Sequence, residues 1–176
     1  MNKMTRILIS FLSLSIIFTG ISCKANKRYF MILSINDVYR INGLYDGTVG
    51  GLARIRTLRA ELEQQHPDLL FLHAGDFLFP SLLSQQFKGE QMIDIMNLLD
   101  GKEDSNDDLL FAAFGNHEFD KSRMKDVPML QNRIESSEFS WVSSNFEFKK
   151  DGEQNPLIDS ENIIKSAILL CNGVRV

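Results

Sequence analysis

The sequence predicts an α/β domain built on a mainly parallel sheet, and three observations carry that prediction. Apolar runs at 30–35, 68–73, 109–114 and 140–144 have the length and composition of buried strands. Segments with helical spacing separate them, and such alternation favours right-handed crossovers onto a common sheet. The first three runs each deliver polar residues just past their ends: Asn36-Asp37-Val38-Tyr39, Ala74-Gly75-Asp76 and Gly115-Asn116-His117-Glu118-Phe119-Asp120. Open α/β sheets carry their ligands at strand ends of this kind.

The elements follow in order. Residues 30–35 form the first strand. A loop at 43–51 holds four glycines, which serve either a close backbone approach to the site or simple loop freedom. Helix 51–65 places Leu52, Ile55, Leu58 and Leu62 on one face, with Arg54, Arg56, Arg59, Glu61 and Glu63 mostly elsewhere. Strand 68–73 comes next, then a helix over 87–99 with Met92, Ile95, Met96 and Leu99 inward. The acidic stretch 100–108 matches no calcium-loop spacing and reads as a solvated turn. After strand 109–114, Pro128 suits the first turn of a third helix running to about residue 135. Strand 140–144 returns, and 148–162 reads as a surface excursion. Residues 163–171 read as one strand, Asn172-Gly173 as a hairpin turn, and 174–176 as the start of the return strand.

The chemistry concentrates at the strand ends. The Asn116 side-chain oxygen is able to bind a divalent metal, while His117, pointing differently, is able to reach a phosphate. Asp120 is spaced to hold the other imidazole nitrogen and fix the tautomer. A carboxylate such as Asp76 is able to bridge two cations about 3.5–4 Å apart.

These motifs, together with Gly50-Gly51-Leu52-Ala53-Arg54 and Ser143-Ser144-Asn145-Phe146, resemble the calcineurin-like metallophosphoesterases. More narrowly, they resemble the N-terminal part of the bacterial 5′-nucleotidase and 2′,3′-cyclic phosphodiesterase group, over roughly residues 29–176. The resemblance implies a sandwich of two sheets flanked by helices. It implies hydrolysis of phosphate esters, nucleotides above all, by in-line attack of a metal-bound hydroxide at a two-metal site. It assigns Asp37 to the first metal, Asp76 to the bridge and Asn116 to the second metal. His117 would stabilise the transition state or assist the leaving group, oriented by Asp120. The implied cofactors are two divalent ions drawn from Zn, Mn, Mg, Co or Fe.

Two departures from the family pattern qualify these expectations. Tyr39 stands where a His is more usual, and a phenol is a poor ligand near neutral pH. It is expected beside the metal or substrate as a hydrogen-bonding group, or as a weak ligand. The family also draws further histidine ligands from downstream motifs, and His66, His73 and His117 are the three histidines here. His66 reads as a solvated residue after a helix, and His73 as a packed strand residue. That leaves Asp37, Asp76 and Asn116 for two metals, so weak metal binding and an incomplete domain are expected. The alternative is a catalytically inactive, truncated envelope lipoprotein that keeps the phosphoesterase sheet. A single-metal site using Tyr39 and His73 is a third option.

Residues 1–22 read as a signal peptide: Lys3 and Arg6 precede a fifteen-residue uncharged run at 7–21. A transmembrane helix needs about 20 apolar residues, so this run is short for one. A small residue directly before Cys23 resembles a lipoprotein processing site, and 23–28 forms a polar linker. Cys23 is the expected lipid attachment point, with an ordinary cleaved signal or an uncleaved anchor as alternatives, and the protein is expected in the cell envelope, periplasmic or surface-exposed. Cys171 is the second of two cysteines and reads as a small core residue, so no disulfide framework is expected. Removal of Lys3 and Arg6 takes the net charge from −4 to −6, with 17 bases against 23 acids. Without a basic patch, polymeric nucleic acid is excluded as an expected partner.

Overall fold

A computed structural model describes residues 27–121, 123–149 and 157–176. The expected signal peptide at 1–22, Cys23 and the linker up to residue 26 lie outside the described residues. Five parallel strands form the main sheet in the order β1 (Ile32–Ile35), β2 (Leu70–His73), β3 (Asp107–Ala113), β4 (Phe139–Val142) and β5 (Ile163–Ile164). The pairing is in register from Ile35 through His73 to Ala112 and Trp141, which aligns the strand ends.

Helix α1 (Leu52–Glu63) links β1 to β2, and α4 (Val127–Glu135) links β3 to β4, with Pro128 in its first turn. The helix expected over 87–99 is present as α3 (Glu90–Asn97), and a short helix that was not expected, α2 (Leu82–Phe87), precedes it. Lys88 and Gly89 between them are left-handed, at φ 54° and 82°, and a Cβ on Gly89 would press to 3.2 Å on Leu78. Ser81 starts α2 by accepting a hydrogen bond from the Ser84 amide at 2.9 Å, a cap not foreseen from periodicity. Ile93 joins Met92, Met96 and Leu99 in the core, whereas Ile95 is only partly buried.

Strand order steps in one direction across the sheet, so crossovers of one hand all fall on one face. That face carries Phe71, His73, Leu110, Ala112 and Trp141, all buried under the helices. The opposite face is only partly covered: Ile32 is exposed, and Leu72, Leu109, Val142 and Ile164 are half-buried. The apolar runs suggested burial on both faces; the one-sided arrangement of the helices explains the difference.

The 163–171 segment is two short strands rather than one. β4 ends at Val142, so β5 runs out of a partner after Ile164. Strands β6 (Leu170–Cys171) and β7 (Val174–Arg175) form a separate antiparallel hairpin, turned by Asn172 and Gly173 at φ 48° and 70°. Cys171 is a buried free thiol. Of the 148–162 excursion, 150–156 lies outside the described residues; Ile158 returns to the core.

The largest departure from the sequence reading is Arg59. Expected on the polar side of α1, it is 2% exposed, with Nη1 2.5 Å from Asp107 and Nε 2.6 Å from Glu63. Its guanidinium lies over the Phe71 ring at 5.4 Å. Asp107 therefore belongs to β3 and is buried, not part of a solvated turn. Burial is the largest single influence and works against the charged guanidinium, but the hydrogen bonds and charges of Asp107 and Glu63 together outweigh it, so the Arg59 pKa is raised.

Removing one partner of this pair leaves an uncompensated buried charge. Arg59→Ala should cost about 3–5 kcal/mol, read from the urea unfolding midpoint and slope. The double replacement Arg59→Met with Asp107→Leu should cost clearly less than the sum of its parts. Strict additivity would show that the pair is not coupled.

Candidate functional site

Three strand ends bring their loops together. Past β1, Asp37 is left-handed at φ 55°, and its amide donates to the Gly75 carbonyl at 3.2 Å. Past β2, Gly75 and Asp76 are also left-handed, at φ 95° and 62°. Past β3, Gly115 leads into a 3₁₀ turn over His117–Phe119. The Gly75 and Gly115 backbones touch: a Cβ on Gly75 would lie 2.4 Å from the Gly115 nitrogen. A Cβ on Gly115 would lie 2.2 Å from Asp76 Oδ1. Only glycine fits at either place.

The side chains then interlock. The His117 amide donates to Asp76 Oδ1 at 2.7 Å. His117 Nδ1 lies 3.0 Å from Asp120 Oδ2, the pairing expected from their spacing. The Tyr39 hydroxyl donates to Asp37 Oδ1 at 2.7 Å, and the Asn36 amide donates to Asp37 Oδ2. Tyr39 and His117 meet edge to face with centroids 5.6 Å apart. Asp37, Tyr39, Asp76, His117 and Asp120 thus form one connected cluster, with exposed Asn116 between Gly115 and His117.

The electrostatics follow from these contacts. The hydrogen bond from Tyr39, then that from Asn36, holds the Asp37 carboxyl below its usual range. The same bond to Asp37 pushes the Tyr39 phenol up to about 12, so it remains protonated at neutral pH. The Asp120 bond raises the His117 pKa above the ordinary histidine value.

Two contributors were not foreseen. Asn36 was read only as part of a motif, yet it binds Asp37 directly. Glu118 is wholly buried, and its carboxylate accepts four backbone N–H groups. Oε2 takes those of Gly115 at 2.7 Å and Asp76 at 2.9 Å. Oε1 takes those of Phe77 at 2.9 Å and Leu78 at 3.2 Å. The one available signal was an acid placed between His117 and Phe119 in a turn; three of its partners lie about 40 residues upstream, where spacing gives no clue.

His73 is 1% exposed and packs on Phe77 with centroids 4.5 Å apart. Its Nδ1 accepts the Gly75 amide at 3.1 Å, so in the neutral ring Nε2 carries the proton. Neither nitrogen then offers a free lone pair, which argues against His73 as a metal ligand. Burial pulls its pKa down to about 4.

As a donor set for divalent metal, Asp37, Asp76 and Asn116 supply hard oxygen atoms suited to Mg²⁺ or Mn²⁺. Among the described residues, no three His, Cys, Asp or Glu side chains group closely enough to hold an ion by themselves. The oxygen donors fit such ions, with coordination left to complete from solvent or other donors. Beside the cluster, a cleft of about 510 Å³ is lined by Tyr39, Arg40, Pro80, Leu82 and Leu83, among others. It shares Arg40, Ile41 and Asn42 with a larger cleft of about 690 Å³ in the 43–51 loop.

The fold is an α/β one with a parallel sheet flanked by helices. The calcineurin-like phosphoesterase family pattern matches residues 30–175, and the chain belongs to that family. The family generally uses divalent metals. Over 72 residues the chain is 36% identical to the 5′-nucleotidase of Mus musculus, covering 41% of this chain and 11% of that protein. Its fold is similar to the 5′-nucleotidase precursor from Thermus thermophilus, with a TM-score of 0.60 at 24% identity. That match covers 83% of this chain and 27% of the other. It is also similar to the calcineurin-like phosphoesterase YfkN from Bacillus subtilis, with a TM-score of 0.50 at 19% identity. There the coverage is 73% of this chain and 40% of the other. The chain thus spans well under half the length of each of these relatives.

His73 generates a pH prediction. Its folded pKa near 4 lies below the ordinary 6.5, so between these values the unfolded chain binds the extra proton. Its contribution is fully present above pH 6.5 and is lost as pH falls through 4, by about 3 kcal/mol in all. Urea midpoints measured against pH should show a shallower acid slope in His73→Gln than in the wild-type chain. Identical slopes would contradict the buried neutral ring. In the same titration followed by NMR, Asp120→Asn should lower the His117 midpoint.

Proposed function

We propose that the chain contributes to metal-dependent hydrolysis of phosphate esters, most specifically to 5′-nucleotidase chemistry on nucleotides. The observation that carries this reading is the linkage of Asp76, His117 and Asp120 in one hydrogen-bonded run at the ends of β2 and β3. Asp37, Asp76 and Asn116 would hold two divalent ions, with Asp76 between them. Bound ions of this kind supply Lewis-acid charge for the phosphoryl oxygens and acidify water.

The chain's own groups do the rest. Asp120 holds His117 Nδ1, which leaves Nε2 to carry a proton toward the leaving-group oxygen. The protonated Tyr39 hydroxyl steadies Asp37 rather than acting as a ligand. The cleft beside Tyr39 gives the organic part of a small ester a place beside the phosphate. Small phosphate esters or nucleotides are the proposed substrates, and the acidic net charge of −4 disfavours a nucleic-acid polymer. The sequence of residues 1–23 supports export to the cell envelope with a lipid anchor on Cys23.

A second reading, a non-catalytic envelope lipoprotein retaining the phosphoesterase sheet, is favoured by one observation. Among the described residues, no three acidic, histidine or cysteine side chains group to hold a metal.

The test is Mn²⁺ binding and nucleoside monophosphate hydrolysis by the chain and two variants. His117→Ala should lower kcat by about 10²–10⁴-fold with metal affinity nearly unchanged. Asp76→Asn should damage both. Equal metal loss in the two variants would contradict the assigned roles. A wild-type chain that neither binds Mn²⁺ nor hydrolyses ester would favour the second reading.

A further inference from the structure

We propose that Glu118 is the positioning residue of this site: a buried carboxylate that locks the Gly75-Asp76 turn to the Gly115-Asn116 turn. The proposal rests on the metallophosphoesterase reading above and adds a residue to which the sequence assigned no role.

The geometry is reciprocal. Glu118 Oε2 accepts the Asp76 amide at 2.9 Å, while Asp76 Oδ1 accepts the His117 amide at 2.7 Å. Each carboxylate therefore holds the backbone of the other's loop. Oε2 also takes the Gly115 amide at 2.7 Å, and Oε1 takes those of Phe77 and Leu78 at 2.9 and 3.2 Å. Four donors on two oxygens use all the acceptor capacity a carboxylate normally offers. A glutamine side chain has one such oxygen; its amide nitrogen would face two N–H donors without an acceptor between them.

The lock acts where the backbone is least free. Asp76 is a non-glycine residue at φ 62°, a conformation that the surrounding structure has to impose. Asp76 Oδ1 sits where a Cβ on Gly115 would be, 2.2 Å from it, so the carboxylate and the neighbouring loop share one small space. A change in the turn would therefore move the Asp76 carboxylate and the Asn116 and His117 backbone together. Glu118 itself is 0% exposed and spends its carboxylate on backbone amides, so its influence on chemistry runs through Asp76 and His117.

The test compares the full chain with Glu118→Gln, using Mn²⁺ affinity from electron paramagnetic resonance of the free ion. All samples are held at a temperature where circular dichroism shows them folded. Arg59→Met, destabilised but distant from the site, is the control for a purely structural effect. Glu118→Gln should weaken Mn²⁺ binding by about tenfold or more, the range seen when groups supporting metal ligands are removed. Arg59→Met should leave it within about twofold. If Glu118→Gln binds Mn²⁺ as tightly as wild type, the positioning role is overturned while the phosphoesterase reading stands.

If Glu118→Gln does not fold, Glu118→Asp replaces it, since its carboxylate is one methylene short of the four donors. If the wild-type chain binds no Mn²⁺, the metal-dependent hydrolysis proposed above fails for this chain, and amide exchange decides the lock separately. The amides of Asp76, Phe77, Leu78 and Gly115 should then lose protection together in the variant while those of β2 and β3 keep theirs. Retained protection at all four would overturn it.

Discussion

The contact between the Gly75 and Gly115 backbones is the constraint on which the rest of the site depends. It brings the ends of β2 and β3 closer than any side-chain-bearing residue would allow. That proximity lets one buried acid serve amides from both loops, and it sets Asp76 against the His117 amide. Parallel pairing supplies the first half of the arrangement, because an in-register sheet ends its strands side by side. The two glycines supply the second half by removing the atoms that would hold the loops apart.

The charge distribution around this contact is uneven in a useful way. Glu118 is buried and satisfied by backbone dipoles, so it costs little to keep and attracts no nearby ligand of its own. Asp37, by contrast, is exposed and carries donors on both oxygens, from Tyr39 and Asn36. A cation approaching Asp37 competes with those donors, one of them a phenol that stays protonated. Asp76 stands between these extremes, half-buried, with Oδ1 engaged by the His117 amide. Tyr39 in place of a histidine therefore changes more than a ligand count: it puts a hydrogen-bond donor on Asp37 Oδ1 beside the one Asn36 gives to Oδ2.

A second constraint lies away from the site. Arg59, Asp107 and Glu63 tie α1 to the start of β3, with the guanidinium resting on Phe71 of β2. Parallel strands cannot be joined by a tight turn, so their relative position depends on the helices that cross between them. A buried ion pair at the base of the sheet and a buried carboxylate at its top fix opposite ends of the same strands. Between them the core is apolar, with Phe77 stacked on Trp141 at 5.2 Å and Phe114 on Trp141 at 4.6 Å.

Much of this was legible in the chain itself. The apolar runs located the first four strands, helical spacing located α1 and Pro128 marked the start of α4, because burial periodicity and backbone chemistry are local properties. The Asn172-Gly173 turn was readable for the same reason: its left-handed geometry suits those two residue types. The His117–Asp120 pairing was also readable, since three residues separate them. What only the tertiary structure decided was set by distance in space. Arg59 looked like a surface charge until Asp107, 48 residues away, was placed beside it. The helix expected over 87–99 starts only at Glu90, after left-handed Lys88 and Gly89, where a Cβ on Gly89 would press on Leu78. Glu118 carried no local sign that its partners lay on another loop. Local pattern determined where the chain forms strands, helices and turns; long-range packing determined which charges are buried, which donors they meet and how the strand-end residues converge.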